Sequence, residues 1–265
     1  MSKGCVLVTG AEGGMGRAAC EALAREGWDV IGLDVKPGEP RPWRVLAVDL
    51  TDEGAVNSAA ETLRGEGVTL AGVVHLAGIY DLNSLVEIPE EEMERIFQIN
   101  VLGAYRVNKV FLPLFSPETR ILITTSELAP LHPLPFTGLY GVTKAALDRY
   151  ADALRMELQL LGHTVITLRP GAVRTGLLTV STDRLDAFCA NTRLYACNAE
   201  RFRAIVNAVE ARAVPPEKVA GKVVKILSAR HLRLTYSLNR NPLLLLMNLL
   251  PKRLQLAAIR WVLKA

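Results

Sequence analysis

Several large functional classes are excluded by what this sequence lacks. Its four cysteines, Cys5, Cys20, Cys189 and Cys197, form no C-x-x-C pair and have no histidine at metal-ligand spacing. No metal site is expected, and free thiols in a reducing compartment are. The opening "MSKGCVLVTG" runs directly into a strand pattern, with no apolar leader and no cleavage site, as expected of a cytoplasmic chain. The most apolar stretch, "NPLLLLMNLL", is too short to span a bilayer and is cut by Pro251, Lys252 and Arg253. There is no linker-like or low-complexity segment and no internal repeat, so residues 1–265 read as one domain. A net charge of +4 is too small an excess to point to nucleic acid.

What is present is an alternation. Short Val/Ile/Leu runs at 5–9, 29–34, 43–49, 71–77, 120–126 and 164–170 read as strands buried on both faces. Between them lie amphipathic helical patterns at 16–27, 51–67 and 140–162; the first and last stop at Gly27 and Gly162. Thr51 and Asp52 are the candidate caps of the second. Repeated strand–helix–strand units predict an α/β, Rossmann-type, doubly wound parallel sheet with helices on both faces. Its ligand crevice then lies at the carboxyl ends of the strands.

The first strand–helix junction is "VTGAEGGMGRA" (8–18). Gly10, Gly14 and Gly16 allow a tight turn and let a pyrophosphate approach the unpaired N–H groups at a helix start. The next strand ends in Asp34, placed to take ribose hydroxyls and to repel a 2′-phosphate. Gly13 and Val35, the positions best placed to meet such a phosphate, are not basic, whereas Lys36 lies close by. NAD is therefore favoured over NADP.

At this point the chain resembles the short-chain dehydrogenase/reductase family, in its shorter, single-domain branch. Thr9-Gly10-x-x-x-Gly14-x-Gly16, Asp49-Leu50, "HLAG" (75–78), Asn100, Ser126, Tyr140-x-x-x-Lys144 and Pro170-Gly171 followed by Thr175 occur in the family's order, over residues 9–175. The resemblance implies catalysis by Asn100, Ser126, Tyr140 and Lys144. Tyr140 would be the general acid/base and Ser126 would hold the substrate oxygen. Asn100 would position a relay water, and Lys144 would hold the nicotinamide ribose. It also implies cofactor contacts from Thr9, Gly10, Gly14, Met15, Gly16, Asp34, Asp49, Leu50, Ala77, Gly78, Pro170, Gly171, Val173 and Thr175, besides Tyr140 and Lys144. Lys144 lies one helical turn after Tyr140, so its ammonium is expected to draw the phenol toward phenolate.

Three departures stand out. Ser126 and Tyr140 are 14 positions apart, one more than the family usually shows. Either the loop bulges, or Glu127 intrudes, or Thr125 takes the serine's role. His75 and Leu76 replace two amides, and His75 reads as a buried structural histidine. A family stretch near the C-terminus is missing, and "RLTYSLN" (233–239) is the candidate last strand.

Residues 176–215 are expected to form a substrate lid. Leu177, Leu178, Val180, Phe188, Tyr195 and Phe202 either face a lipophilic substrate or form helix core. From Arg240 onward there are five basic residues and no acid. In this tail (240–265), Leu254, Ala257, Ala258, Trp261 and Val262 share a face, and Arg253, Arg260 and Lys264 lie roughly opposite. The pattern suits an amphipathic helix lying on a membrane; it equally suits a cover over the active-site mouth or a subunit contact. The tail also resembles those of steroid- and retinol-type members of the family. The expected activity is NAD(H)-dependent interconversion of a hydrophobic secondary alcohol and ketone, by a homodimer or homotetramer as the resemblance implies. The alternatives are a non-catalytic dinucleotide-binding sensor or scaffold of the same fold, or a binding protein tethered at a membrane surface.

Overall fold

The computed structural model describes residues 3–264, leaving out the side chains of 176–183 and 209–210. Seven parallel strands form one sheet in the order β3-β2-β1-β4-β5-β6-β7. They are β1 (Cys5–Thr9), β2 (Asp29–Asp34), β3 (Arg44–Ala47), β4 (Leu70–His75), β5 (Phe115–Thr124), β6 (Thr164–Pro170) and β7 (Thr235–Leu238). The order reverses between β1 and β4, which opens a crevice at their carboxyl ends.

Both sheet faces are covered, so the strands carry apolar residues without alternation. On β1, Leu7 packs with the helices α2 (Glu53–Gly65), α4 (Gly103–Phe111) and α5 (Gly138–Leu158). Its neighbours Val6 and Val8 pack with α1 (Gly14–Arg25) and α8 (Pro216–Ser228) on the other face. Asp52 caps α2 by accepting from the amides of Gly54 and Ala55; Thr51 does not cap it. A short helix, α3 (Glu90–Phe97), passes into α4 through a π-helical turn at Gln98–Leu102. The turn carries Asn100.

Two predicted ends move by more than two residues. β5 begins at Phe115, well before residue 120. Pro117 and a left-handed Glu118 (φ 62°) break the apolar pattern in its first half. α5 starts at Gly138, and a 3-10 turn at Gln159–Leu161 carries it to Gly162, whose φ of +83° ends it.

Beyond the sheet, α6 (Gly176–Asn191) and α7 (Ala196–Glu210) occupy the segment expected to form a substrate lid. The tail follows as α9 (Pro242–Leu249) and α10 (Lys252–Leu263). A third apolar cluster, including Leu82, Phe136, Phe188, Phe202 and Leu263, fastens lid and tail to the loops above the sheet. Among the described residues, no helix is long and apolar enough to cross a membrane.

Candidate active site

The β1–α1 turn is built for close approach. Gly10 has φ +68°, and a Cβ there would lie 2.8 Å from the Ala77 backbone. A Cβ on Gly14 would lie 2.8 Å from that of Thr175, and one on Gly16 would collide with the Gly10 carbonyl. These are the three glycines of the family spacing; Gly13 is the ordinary extended residue that precedes α1. Thr9 spends its hydroxyl on the fold, accepting from the amides of Leu76 and Ala77 at 3.3 and 3.2 Å. Asp34 ends β2, and its Oδ2 accepts the Glu12 amide at 2.9 Å. Asp49 lies exposed at the crevice edge, its Oδ1 engaged by the Thr51 amide and hydroxyl. Leu50 is buried against Gly103.

A cavity of about 240 Å³ lies past this turn. Met15, Gly78, Ser126, Tyr140, Lys144, Pro170, Gly171, Val173 and Thr175 all line it. The expected polar set therefore converges although it spans more than half the chain. The remaining predicted cofactor residues lie along the crevice toward Asp34. Asn100 stands behind the cavity wall. Its amide donates to the Ile79 carbonyl (3.0 Å) and the Thr143 hydroxyl (3.1 Å), and its Oδ1 accepts the Ile79 amide (2.8 Å).

Ser126 and Tyr140 line the same cavity, and Ser126 lies close enough to lower the Tyr140 pKa, so the long spacing does not separate them. The intervening loop absorbs the extra residue. Ser126 Oγ accepts the Leu128 amide in a tight turn, and Phe136 adopts a left-handed φ of 62°. Thr125 is not the substitute hydroxyl, because it donates to buried Asp148 at 3.1 Å. Asp148 also receives Arg169 at 3.0 and 2.6 Å, a pair that ties α5 to β6 directly behind Ser126. Glu127 does intrude: it is buried and lines the cavity.

The electrostatics differ from the simple expectation. Lys144 lies 5.7 Å from the Tyr140 ring centroid and donates to the Thr124 carbonyl at 3.2 Å. Burial lowers its ammonium to about 8. Burial also pushes the Tyr140 hydroxyl up to about 12, and the Ser126 side chain offsets only part of that. In the protein alone, then, desolvation outweighs the attraction of the ammonium, and the phenol stays protonated. His75 is the structural histidine expected. It is buried, its Nε2 pairs with Asn108 at 2.9 Å, and burial holds its pKa down to about 4.

The far wall of the cavity is apolar and helical. Phe202, Ile205 and Val206 of α7 and Leu243 and Leu244 of α9 supply it. Of the lid residues singled out in the sequence, Phe202 faces the cavity. Phe188 and Tyr195 instead form helix core around Phe136, and the side chains of Leu177, Leu178 and Val180 lie outside the described residues. The start of the tail, at Asn241, Leu243 and Leu244, lines the cavity, and other tail residues such as Leu249 and Trp261 are exposed. Several functional neighbours escaped the sequence reading. Asp148 had a signal, since it lies on the Tyr140–Lys144 face of one helix at i+4 spacing. Arg17 and Arg41 had none; both pair with Glu12, at 3.2 and 3.3 Å, beside Asp34.

A nucleotide crevice leading to a Ser–Tyr–Lys cavity defines a dehydrogenase. The chain belongs to the short chain dehydrogenase family, whose model matches residues 4–186. It is an alcohol/ketone oxidoreductase that binds a nicotinamide dinucleotide. Among its relatives is a 3-ketodihydrosphingosine reductase of Bacteroides thetaiotaomicron, 26% identical over 85% of this chain and 90% of that protein. Another is an NADPH-dependent 3-dehydrocapnine reductase of Ornithobacterium rhinotracheale, 27% identical over 87% of this chain and 86% of that one. A short-chain dehydrogenase from Streptomyces avermitilis shares the fold, with a TM-score of 0.78 and 23% identity, over 99% of this chain and 97% of its own.

Proposed function

We propose that this chain interconverts a lipophilic secondary alcohol and its ketone, with NAD(H) as the preferred cofactor. The observation that carries the reading is the joint placement of the Tyr140 and Ser126 hydroxyls at the polar end of a cavity whose other walls are apolar. The bound nicotinamide supplies or accepts the hydride. Tyr140 moves the proton of the substrate oxygen, and Ser126 donates to that oxygen as alkoxide charge develops. Lys144 contributes positive charge beneath the ring, which favours phenolate once a proton has left. Asn100 clamps Ile79 and so holds the cavity floor against Lys144. The Gly10–Gly16 turn would hold the pyrophosphate, and Asp34 the adenosine ribose.

The names of the two reductases above support a 3-keto or 3-dehydro substrate. Support for NAD comes from the carboxylate at Asp34 and from Glu12, which occupies both nearby arginines. The NADPH-dependent relative makes the cofactor the first thing to measure. Titration with NADH and with NADPH, read by nicotinamide fluorescence, is expected to give the tighter curve for NADH. A panel of lipophilic ketones should then show turnover in wild type and about a 10²–10⁴-fold loss in Tyr140→Phe, with cofactor binding kept. Undiminished turnover in that variant removes Tyr140 from the mechanism.

A membrane-surface location is a second part of the proposal. On α10, Gln255 and Leu263 are buried, so at 100° per residue the opposite face carries Leu254, Ala257 and Trp261, with Arg253 and Lys264 beside them. Leu246 and Leu249 of α9 are exposed near this surface, and Trp261 is 80% exposed. Apolar anchors flanked by cations suit an anionic bilayer. Flotation with anionic vesicles is expected for the wild type and not for a Leu249→Glu/Trp261→Glu variant; equal behaviour of the two ends this part. A homodimer or homotetramer through α4 and α5 is also proposed, supported by exposed Tyr105 and Met156, and light scattering tests it.

A further inference from the structure

Among the described residues, two charged side chains line the cavity, Lys144 and Glu127. Lys144 is accounted for by the Thr124 carbonyl and the Tyr140 ring. Glu127 is not. Only 7% of the residue is exposed, and its carboxyl group faces the cavity. Its Oε2 accepts the Asn241 amide at 2.6 Å, at the start of α9. Its Oε1 lies against Gly171, where an added Cβ would be 2.8 Å away, and has no hydrogen-bond donor among the described residues. Arg240 acts on it through its field and forms no ion pair with it. Anchoring the tail explains one oxygen and leaves the other without a partner. A carboxylate oxygen that faces the cavity without a protein donor can accept a charge-assisted hydrogen bond from a cationic group of a ligand.

The position is informative. Glu127 follows Ser126 directly, the two Cα atoms are about 3.8 Å apart, and both residues line one cavity. A group bound by the free oxygen therefore lies near the carbon whose oxygen Ser126 and Tyr140 hold. The surrounding lining includes Leu76, Ile79, Leu128 and Leu243, and among the described residues Glu127 is its one carboxylate.

We propose that Glu127 is a specificity-determining residue that accepts a protonated amine, carried one or two carbons from the reacting carbon of an otherwise apolar substrate. The substrate class is then a lipophilic amino ketone and its amino alcohol. This rests on the oxidoreductase reading of the same cavity and narrows its substrate. Burial already raises the Glu127 carboxyl above the usual carboxylate range, and an ammonium beside it restores the charged form.

The test compares three ketones of one chain length: a 2-amino-3-ketone, the 2-hydroxy-3-ketone and the unsubstituted 3-ketone. Reduction is followed by loss of nicotinamide absorbance, with wild type and Glu127→Gln. Glutamine keeps an acceptor for Asn241 and removes the charge. The wild type is expected to prefer the amino ketone over the unsubstituted one by about 10- to 100-fold in kcat/KM. Glu127→Gln should lose that preference, read as the ratio of kcat/KM for the two ketones within the variant. A wild type without preference, a hydroxy ketone used as well as the amino ketone, or a preference that survives in Glu127→Gln each overturns the proposal. The wild-type comparison stands even if the variant folds poorly. Binding is read separately, as the thermal shift given by the matching 2-amino-3-alcohol with NADH present. A shift in wild type that is absent in Glu127→Gln supports Glu127 even where no ketone is turned over, an outcome that counts against the oxidoreductase reading alone. No shift in wild type overturns the role of Glu127.

Discussion

The two walls of the cavity are held in different ways. The wall made by β5 and α5 is cross-linked from behind. Lys144 is tied to Thr124, Asn100 to Ile79 and Thr143, and Asp148 to Thr125 and Arg169, in buried or partly buried surroundings. The wall made by α7 and α9 is apolar toward the cavity, and the polar bonds that hold it lie at its edges: the Asn241 amide to Glu127, Asn248 to the His132 amide at 2.8 Å, and Asn198 to the Leu263 carbonyl at 2.7 Å among them. Reaction chemistry needs atoms held to fractions of an ångström, whereas a lipophilic chain needs a volume to fill. The difference between the walls follows from that division of labour.

The cross-linked wall should break hardest. Removing the cation of its deepest ion pair, in Arg169→Ala, leaves Asp148 charged and buried. We expect a loss of about 3–5 kcal/mol in a denaturant midpoint experiment. Arg169→Lys should recover only part of it, because a single ammonium cannot reproduce the two-point contact. A variant as stable as wild type would show that the α5–β6 tie is dispensable.

Lys144 gives the next largest effect, with opposite signs for activity and stability. Its ammonium titrates at about 8 in the folded protein, against the ordinary lysine value of 10.5 for the unfolded chain. Below pH 8 both states are protonated and the fold carries the full burial cost. Between about 8 and 10.5 the unfolded chain binds more protons, so stability rises with pH and the cost is gone above that range. Lys144→Met should therefore lose turnover yet stabilise the cofactor-free protein by about 2–3 kcal/mol at neutral pH. Thermal unfolding from pH 7 to 10.5 should show that gain shrinking to nothing. A gain that does not change with pH would locate it in packing instead.

These contrasts bear on what could be read in the sequence. β1, β2 and β6 were legible to the residue because strands buried on both faces leave unbroken apolar runs. The cross-linked wall was legible as residues, since Ser126, Tyr140 and Lys144 are polar types at fixed spacing. Its strength was not, because Asp148 and Arg169 meet only when α5 packs on β6. The apolar wall resisted for a different reason. Phe188 and Tyr195 look no different from Phe202 in sequence, and tertiary packing alone decides that all three join the Phe136 cluster while only Phe202 of them also reaches the cavity. The start of β5 was hidden by Pro117 and Glu118, whose turn chemistry masks a strand that resumes behind them.

The nucleotide end of the crevice allows a finer test of the same principle. Glu12 holds Arg17 and Arg41 at 3.2 and 3.3 Å, next to the acceptor Asp34. Glu12→Gln should release both guanidiniums toward an incoming 2′-phosphate while leaving Asp34 in place. The kcat/KM ratio of NADPH to NADH is expected to rise about 10-fold, since one charge beside a partly exposed pair is worth about 1–2 kcal/mol. An unchanged ratio would assign cofactor choice to Asp34 alone.

The smallest expected effect probes the apolar wall. Leu243 and Leu244 both line the cavity, yet Leu243 is 63% exposed, so little of its area is removed from water by the fold itself. Leu243→Ala should then change the denaturant midpoint by less than about 0.5 kcal/mol, the usual range for a surface position. A substrate chain lying against that leucine would bury it further. Losing a few methylenes of contact should raise KM for a long-chain ketone about 3- to 10-fold, and a short-chain ketone that does not reach α9 should be unaffected. A change in kcat of the same size for both ketones would mean that the tail reaches the chemistry through Asn241 and Glu127, and that the two walls act as one.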